Sequence, residues 1–294
     1  MATVRIAARL PAVRARRRRR LGHSFTYALL IVITVLVAVP VVGLVITSLK
    51  RETEYLSYPI VFLPAVPQWH NYVQVFESQF HFLKHAGLTV FLAAMFSTLC
   101  VTSSALSGFA FARFPDIKAS RKLFAVVVAM IIIPSIVTVI PQFVIFSRLH
   151  LTGNYWPWVL WGLAGSPFHI FLFRQFFLTF PKELEDAAEV DGCSPFGIFW
   201  RIFLPNAQPV LATSSILNFV WVWGDWFTAR IFLRSDNTTL AVILNEVFRN
   251  PAGNLLTTLT AAATVLYVLP MVIVFFLGQR YILQGVVTSG LAGR

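Results

Sequence analysis

Long apolar runs separated by short polar stretches dominate this chain. Six runs hold about 20 or more mainly apolar residues, the length that an α-helix needs to cross about 30 Å of hydrocarbon. They lie at approximately 25–48, 85–112, 123–147, 157–180, 208–232 and 259–283. In lipid, backbone amides must find hydrogen-bond partners within their own segment, so we expect every run to be helical. The pattern predicts an all-α integral membrane protein with six transmembrane helices.

The composition argues against a soluble domain. Of the 294 residues, 57% are hydrophobic and 12% are charged, whereas a soluble domain carries about 25% charged residues. The net charge of +12 could suggest nucleic-acid binding, but eight of the 24 basic residues lie in the first twenty positions. Such a run is typical of a solvated tail or a topology signal. We predict a basic cytoplasmic tail over 1–24, a transmembrane domain over 25–294 and no nucleic-acid partner.

The distribution of Lys and Arg predicts which loops face the cytoplasm. With the N-terminus inside, seventeen of these residues are cytoplasmic and seven are external. Without the tail the split is nine to seven, so the tail decides the orientation. Both termini are then expected on the cytoplasmic side.

Several predicted spans contain residues that bend helices or let helices approach closely. Pro134 and Pro141 lie in the third span, and the segment Trp161–Pro167 is expected to bend or loosen the fourth at mid-membrane. In the second span, Ser103 with Ser107 and Ser104 with Gly108 form two pairs of small residues, each one turn apart. Two interpretations fit these features: tight helix packing, or a bundle around a path that opens and closes.

A few chemically versatile side chains fall in or near the apolar runs. Asp225 and Arg230 lie near the external end of the fifth span, where charges are either functional or solvated at the interface. His169 in the fourth span fits either a path lining or a packed histidine. Cys100 and Cys193 lie in different settings, so neither a metal site nor a disulfide is expected. No solute-binding residue can be named.

The loop 181–206, between the fourth and fifth predicted spans, concentrates acidic residues. Five of the twelve Asp and Glu residues lie within 181–192. Pro181 suits a helix start, the carboxylates that follow suit the positive end of that helix, and Gly192 suits the position after its end. Ser194, followed by proline, suits the N-cap of a second short helix.

Each of these two short helices carries a predicted apolar face. The first has one narrow face, suited to a groove on another protein, formed by Leu184, Ala187, Ala188 and Asp191. The second has an aromatic stripe with helical spacing, formed by Phe196, Phe199, Trp200 and Phe203. We expect a helix–Gly turn–helix that lies largely parallel to the membrane and presents the acidic helix to the cytoplasm.

The loop resembles the EAA signature of ABC importer permeases, E-A-A-x3-G-x9-I-x-L-P. The matching residues are Asp186-Ala187-Ala188, Gly192 and Ile202-Phe203-Leu204-Pro205. Asp186 replaces the first Glu of the signature, and Glu185 precedes it. Other segments resemble the carbohydrate-uptake branch, in particular its smaller, six-helix maltose-type subunit: Thr47–Lys50, Asn71–Tyr72, Ala110–Phe114, Phe173–Phe177, Trp223–Phe227 and Gln279–Tyr281.

The resemblance implies a type I ABC importer permease fold in a prokaryotic cell membrane. Its partners would be a second, larger permease, two ATP-binding subunits and an extracytoplasmic solute-binding protein. The residues that would couple to an ATP-binding subunit are Glu185, Asp186, Ala187, Ala188 and Gly192. The residues that would contact the binding protein, in an external turn, are Asn250, Gly253 and Asn254.

ATP and Mg²⁺ are expected on the partner subunits, with no cofactor on this chain. None of its five lysines follows a glycine, so the sequence contains no G-x-x-x-x-G-K phosphate loop. By resemblance, the chain forms half of the path for a di- or oligosaccharide or a related carbohydrate and is not an enzyme. The alternatives are a permease for a glycerol phosphate derivative, a peptide or an ion, and an ATP-independent secondary transporter. That transporter would predict inverted repeats and leaves the acidic loop unexplained.

Overall fold

The apolar runs fold into helices that pack around one long central helix. The computed structural model describes residues 9–77, 81–246, 248 and 255–291, and these contain helices and no β-strand. The helices are α1 (Arg9–Ser48), α2 (Glu52–Tyr55), α3 (His70–Glu77), α4 (Phe82–Arg113), α5 (Lys118–Ile132), α6 (Ser135–Arg148), α7 (Trp156–Ala164), α8 (Pro167–Phe177), α9 (Glu183–Val190), α10 (Pro195–Ile198), α11 (Leu204–Asn206), α12 (Gln208–Gly224), α13 (Phe227–Phe232), α14 (Leu240–Glu246) and α15 (Thr257–Leu291). A π-helical turn, Phe199–Phe203, joins α10 to α11.

Three helices are long and apolar enough to cross a bilayer alone: Thr26–Ser48 of α1, the whole of α4, and Thr257–Tyr281 of α15. Together, α5 and α6 form a fourth candidate, bent by 106°. The bend falls where Pro134 disfavours a helical conformation of Ile133, which is extended. Length and composition thus support three or four spans in the described residues; the six-span count and the side of the termini stay predictions.

The fourth predicted span is divided into α7 and α8 by a break at Gly165. This glycine has a φ of 74°, a conformation that residues with a Cβ rarely adopt. The next amide, from Ser166, donates to Oγ of Ser104 on α4 at 3.1 Å. An amide that the break removes from the helical pattern is therefore satisfied inside the protein, as a membrane location requires.

The fifth predicted span is divided in the same way, into α12 and α13. Asp225 lies at the break in an extended conformation. Its Oδ1 accepts a hydrogen bond from the amide of Thr228 at 2.9 Å, which caps the first turn of α13.

The central helix α4 packs against α7, α8 and α12. Its Gly108 faces α8 so closely that an added Cβ would lie 2.6 Å from Cβ of Phe173. Ser104, one turn earlier, is fully buried. One of the two small-residue pairs identified in the sequence, Ser104 and Gly108, therefore includes a position where the backbones of α4 and α8 approach closely, as small residues permit.

Three clusters of buried apolar side chains follow one another along α4. The first joins its start to α3, α12, α14 and α15, and the second joins its middle to α6, α7 and α13. The third joins its C-terminal half to α8 and the loop 181–206. The acidic loop is thus packed directly onto the central helix.

Candidate functional site

The first turn of α9 in the loop 181–206 is fixed to the C-terminus of α4. Glu185 Oε2 lies 3.1 Å from Nε of Arg113, and the two side chains are 14% and 10% exposed. Arg113 also donates from Nη2 to the carbonyl of Phe180 at 3.2 Å, and its guanidinium carbon lies 4.6 Å from the ring centroid of Phe203. One side chain at the end of the central helix therefore holds both ends of the loop.

The C-terminus of α9 is closed by a Schellman motif at Gly192. Gly192 has a φ of 79° and donates its amide to the carbonyl of Glu189 at 3.0 Å, while the amide of Cys193 donates to the carbonyl of Ala188 at 2.9 Å. A Cβ added at Gly192 would have no heavy atom within 4 Å. Glycine is favoured here for its backbone conformation. The helix end predicted from the sequence is confirmed.

The second short helix of the loop begins at the predicted N-cap and packs on the central helix. Ser194 Oγ accepts a hydrogen bond from the amide of Gly197 at 3.2 Å. Further along, the Phe203 ring lies 4.9 Å from the ring of Phe109 on α4 and 5.5 Å from that of Phe177 on α8, measured between centroids. This aromatic cluster connects the loop to α4 and α8.

The prediction of one continuous aromatic stripe on this second helix is wrong. Phe199 and Phe203 are buried, whereas Phe196 is 61% exposed and Trp200 is 44% exposed. The π-helical turn has more residues per turn than an α-helix, so positions with α-helical spacing do not stay on one face. Only the two buried rings anchor the loop.

The two adjacent alanines of α9 face in different directions. Ala188 is buried in the cluster beside α4 and α8, while Ala187 is exposed together with Leu184 and Asp191. The prediction that all four share one outward face is therefore wrong for Ala188. The helix turns Glu185 and Ala188, three residues apart, toward Arg113 and the core, which leaves the opposite side free.

The five residues expected to couple to an ATP-binding subunit thus divide into two groups. Asp186, Ala187 and Gly192 are exposed and form the outward face of α9 and its terminal turn. Glu185 and Ala188 are directed into the protein and hold that face in place. The sequence signature contains both groups without distinguishing them.

The residues expected to contact a binding protein, Asn250, Gly253 and Asn254, lie outside the described residues. On either side of this turn, the amide of Leu256 donates to the carbonyl of Phe248 at 2.7 Å. The two ends of the connection are therefore held together.

The start of α15, just after this turn, is capped by a residue distant in sequence. The Glu52 carboxylate accepts hydrogen bonds from the amides of Thr257 and Thr258, both at 3.0 Å, and from Oγ1 of Thr258 at 2.7 Å. A carboxylate at a helix N-terminus satisfies free amides and interacts favourably with the helix dipole. Glu52 therefore fixes where the last long helix begins.

A cavity of about 680 Å³ lies between α6, α12 and the two helix breaks. Its lining contains both aromatic and polar side chains. The aromatic members include Phe96, Trp161, Phe168, Trp221 and Phe227, and the polar members include Ser135, Thr138, Gln142, His169, Asn218 and Asp225. A concave site with a few polar groups among apolar walls is typical of small-molecule binding.

Two polar atoms beside this cavity are buried without a hydrogen-bond partner in the described part of the chain: Oδ2 of Asp225 and Nδ1 of His169. Asn218, which is 4% exposed, donates from Nδ2 to the carbonyl of Ser214 at 3.0 Å. His169 is both packed and part of the lining, and Asp225 lies at a helix break. Within the residues that the structure describes, no cluster of His, Cys, Asp or Glu could hold a metal ion.

Sequence reasoning did not bring these cavity residues together. The sequence signal for them is that they lie close to the two helix breaks. Trp161 and His169 flank the break at Gly165, and Asn218 and Trp221 precede the break at Asp225. Their convergence depends on how α6, α8 and α12 pack. That arrangement cannot be read from spacing along one helix.

Residues 104–288, from the middle of α4 into α15, match the family described as binding-protein-dependent transport system inner membrane component. The match spans more than half of the chain, so the protein belongs to this family of ABC importer permeases, as the resemblance implied. Among its relatives is the arabinooligosaccharides transport system permease protein AraQ of Halalkalibacterium halodurans, 30% identical over 86% of this chain and 91% of that protein.

A second relative is the melibiose/raffinose/stachyose import permease protein MelC of Bacillus subtilis, 29% identical over 87% of this chain and 91% of that protein. Among solved structures, a bacterial ABC transporter involved in the import of the acidic polysaccharide alginate contains a similar chain. The TM-score is 0.79 at 22% identity, with 89% of this chain and 96% of the other covered. That likeness supports the permease fold.

Proposed function

We propose that this chain is one of the two membrane subunits of an ATP-driven, binding-protein-dependent importer of a di- or oligosaccharide or related carbohydrate. It spans a prokaryotic plasma membrane six times, with both termini in the cytoplasm. Family membership and the sugar-import permeases among the relatives support this function. The many large apolar side chains exposed on α1, α5 and α6 suit contact with lipid or with a second permease.

The observation that carries the proposal is the acidic loop fixed to the central helix by Arg113 and Glu185. The exposed Asp186, Ala187 and Gly192 dock on one of two ATP-binding subunits, which hold ATP and Mg²⁺. When the ATP-binding subunits close, the motion of α9 reaches α4 through the ion pair and reaches α8 through the aromatic cluster. Two interacting sites joined by packed elements meet the physical requirement for coupling.

The remaining partners are a solute-binding protein on the external side and a second permease. The 249–254 turn, with Asn250, Gly253 and Asn254, contacts an extracytoplasmic solute-binding protein. A second, larger permease forms the other half of the path. Replacing 250–254 with a Gly-Ser linker should lower binding-protein-dependent uptake and leave the ATPase activity without binding protein unchanged.

The decisive experiment reconstitutes this chain in proteoliposomes with the second permease, the ATP-binding subunits and the binding protein. We expect uptake of radiolabelled arabinotriose or raffinose to require ATP and every subunit. Ala187→Trp should abolish uptake and disconnect ATP hydrolysis from it, because the bulky ring cannot enter the docking cleft. Ala187→Ser, which keeps a small side chain at the same position, should retain uptake. Uptake without ATP-binding subunits, or unaltered coupling in Ala187→Trp, would refute the proposal.

A further inference from the structure

The cavity between α6, α8, α12 and α13 has a lining suited to a sugar. The ring of Trp221, which is 47% exposed, offers a flat apolar surface of the kind that packs against the C–H face of a pyranose or furanose. Trp161 also lines the cavity, with its ring packed against Phe146, Trp158 and Phe232. Gln142 adds an amide group that donates and accepts hydrogen bonds, and Thr138 adds a hydroxyl group. A lining that combines aromatic rings with neutral polar groups matches a molecule whose faces are apolar and whose edges carry hydroxyls.

The charged side chain in the lining is acidic. Asp225 is the acidic residue in it, and the lining includes no Lys or Arg among the described residues. The carboxylate uses Oδ1 to cap α13, while Oδ2 is buried and accepts no hydrogen bond from any described residue. A buried carboxylate oxygen without a donor carries a desolvation penalty, which an incoming hydroxyl donor relieves. A second negative charge placed beside it would be repelled.

Resting on the function proposed above, we infer that this cavity is a contact site for the solute on this subunit and that it selects saccharides without negative charge. Asp225 accepts a sugar hydroxyl, Trp221 packs against the ring, and acidic sugars such as uronates are excluded by charge. Broken membrane helices commonly form such sites, since their irregular backbone must line a cavity or be buried in protein. An ionisable group within a predicted span is by default a candidate for contact with the solute.

Thiol accessibility in the assembled transporter tests this inference directly. Leu217, which lines the cavity and is 41% exposed, is changed to Cys in a background with Cys100→Ala and Cys193→Ser. The reaction rates of a cationic (trimethylammonium) and an anionic (sulfonate) ethyl methanethiosulfonate are measured in nanodiscs. Rates are normalised to those with free cysteine and to Ser147→Cys, an exposed position outside the cavity.

We expect the cationic reagent to react about tenfold faster than the anionic one at Leu217→Cys, because one nearby unit charge acts on both. Asp225→Asn should remove most of this bias while keeping the cap on α13, since asparagine is as good an N-cap as aspartate. Arabinotriose, raffinose or maltotriose should slow the reaction, and trigalacturonate should not. Equal normalised rates, a bias that survives Asp225→Asn, protection by trigalacturonate, or protection by none of the neutral sugars would overturn the assignment.

The solute contact site and the importer function can be refuted independently. ATP-driven uptake without the charge bias would remove this contact site and leave the importer function intact. A clear charge bias with neutral-sugar protection, but no requirement for ATP-binding subunits, would support the site and refute the importer mechanism.

Discussion

Arg113 and Glu185 form the ion pair that fixes the acidic helix α9 to the end of the central helix α4, with 3.1 Å between Nε and Oε2. Both side chains are nearly buried, so their interaction is screened less than that of a surface pair. The pair lies between the surface proposed to contact the ATP-binding subunit and the helices proposed to form the path. We propose that it keeps the loop rigid enough to transmit motion.

Breaking this ion pair should weaken coupling more than assembly. For Glu185→Gln we expect a loss of about 1–3 kcal/mol in the free energy that holds α9 to α4, because the nearly buried Arg113 guanidinium loses its counter-charge. Uptake per ATP hydrolysed should fall several-fold in proteoliposomes. The control is Glu183→Gln, which removes an exposed carboxylate from the same turn. Equal loss in both variants would show that net charge, rather than this contact, matters.

Gly192 should tolerate asparagine better than alanine. Its φ of 79° costs a residue with a Cβ about 1–2 kcal/mol, and Asn is the usual second choice at this position. We expect Gly192→Ala to increase proteolysis of the loop and to lower coupled uptake, with Gly192→Asn intermediate. Gly197→Ala, whose Cβ would make an ordinary 3.5 Å contact with Ser194 Oγ, serves as the control and should have little effect.

Gly108 should be intolerant of any side chain. A Cβ there would lie 2.6 Å from Cβ of Phe173 and 2.9 Å from the amide nitrogen of Arg174, so α4 and α8 must separate. We expect Gly108→Ala to destabilise the folded chain by about 1–3 kcal/mol, as overpacking does. Thermal unfolding of the purified chain in detergent measures this. The control is Gly87→Ala on the same helix, where the new Cβ would have no atom within 4 Å. Its unfolding midpoint should lie within a degree or two of the parent, because such a substitution changes the free energy of unfolding by no more than about 0.5 kcal/mol.

Glu52 should control the order of the first turn of α15. Glu52→Ala removes three hydrogen bonds and a charge from that helix start, and loss of a cap costs about 0.5–2 kcal/mol. Amide hydrogen exchange over 257–262 should accelerate about tenfold for each 1.4 kcal/mol lost. Glu54→Ala, whose carboxylate accepts hydrogen bonds from the nearby amides of Arg51 and Ala65, should leave exchange in that segment unchanged.

Local sequence determined those features that neighbouring residues specify. The apolar runs, the end of α9 at Gly192 and the cap at Ser194 all follow from chain-local rules, because propensity, dipole and capping act within one turn. The EAA-like pattern also indicates the family on its own, because its residue types and spacing lie within one short loop. None of these features depends on how the long helices pack.

Tertiary structure alone decided which way the side chains face and what they meet. Ala188 turns inward and Ala187 outward because Glu185 meets Arg113, a residue on another helix. The cavity around Asp225 exists because α6, α8 and α12 converge at two helix breaks. The rotation of a short helix and the meeting of distant segments minimise the free energy of the whole packed assembly, so no local pattern could specify them.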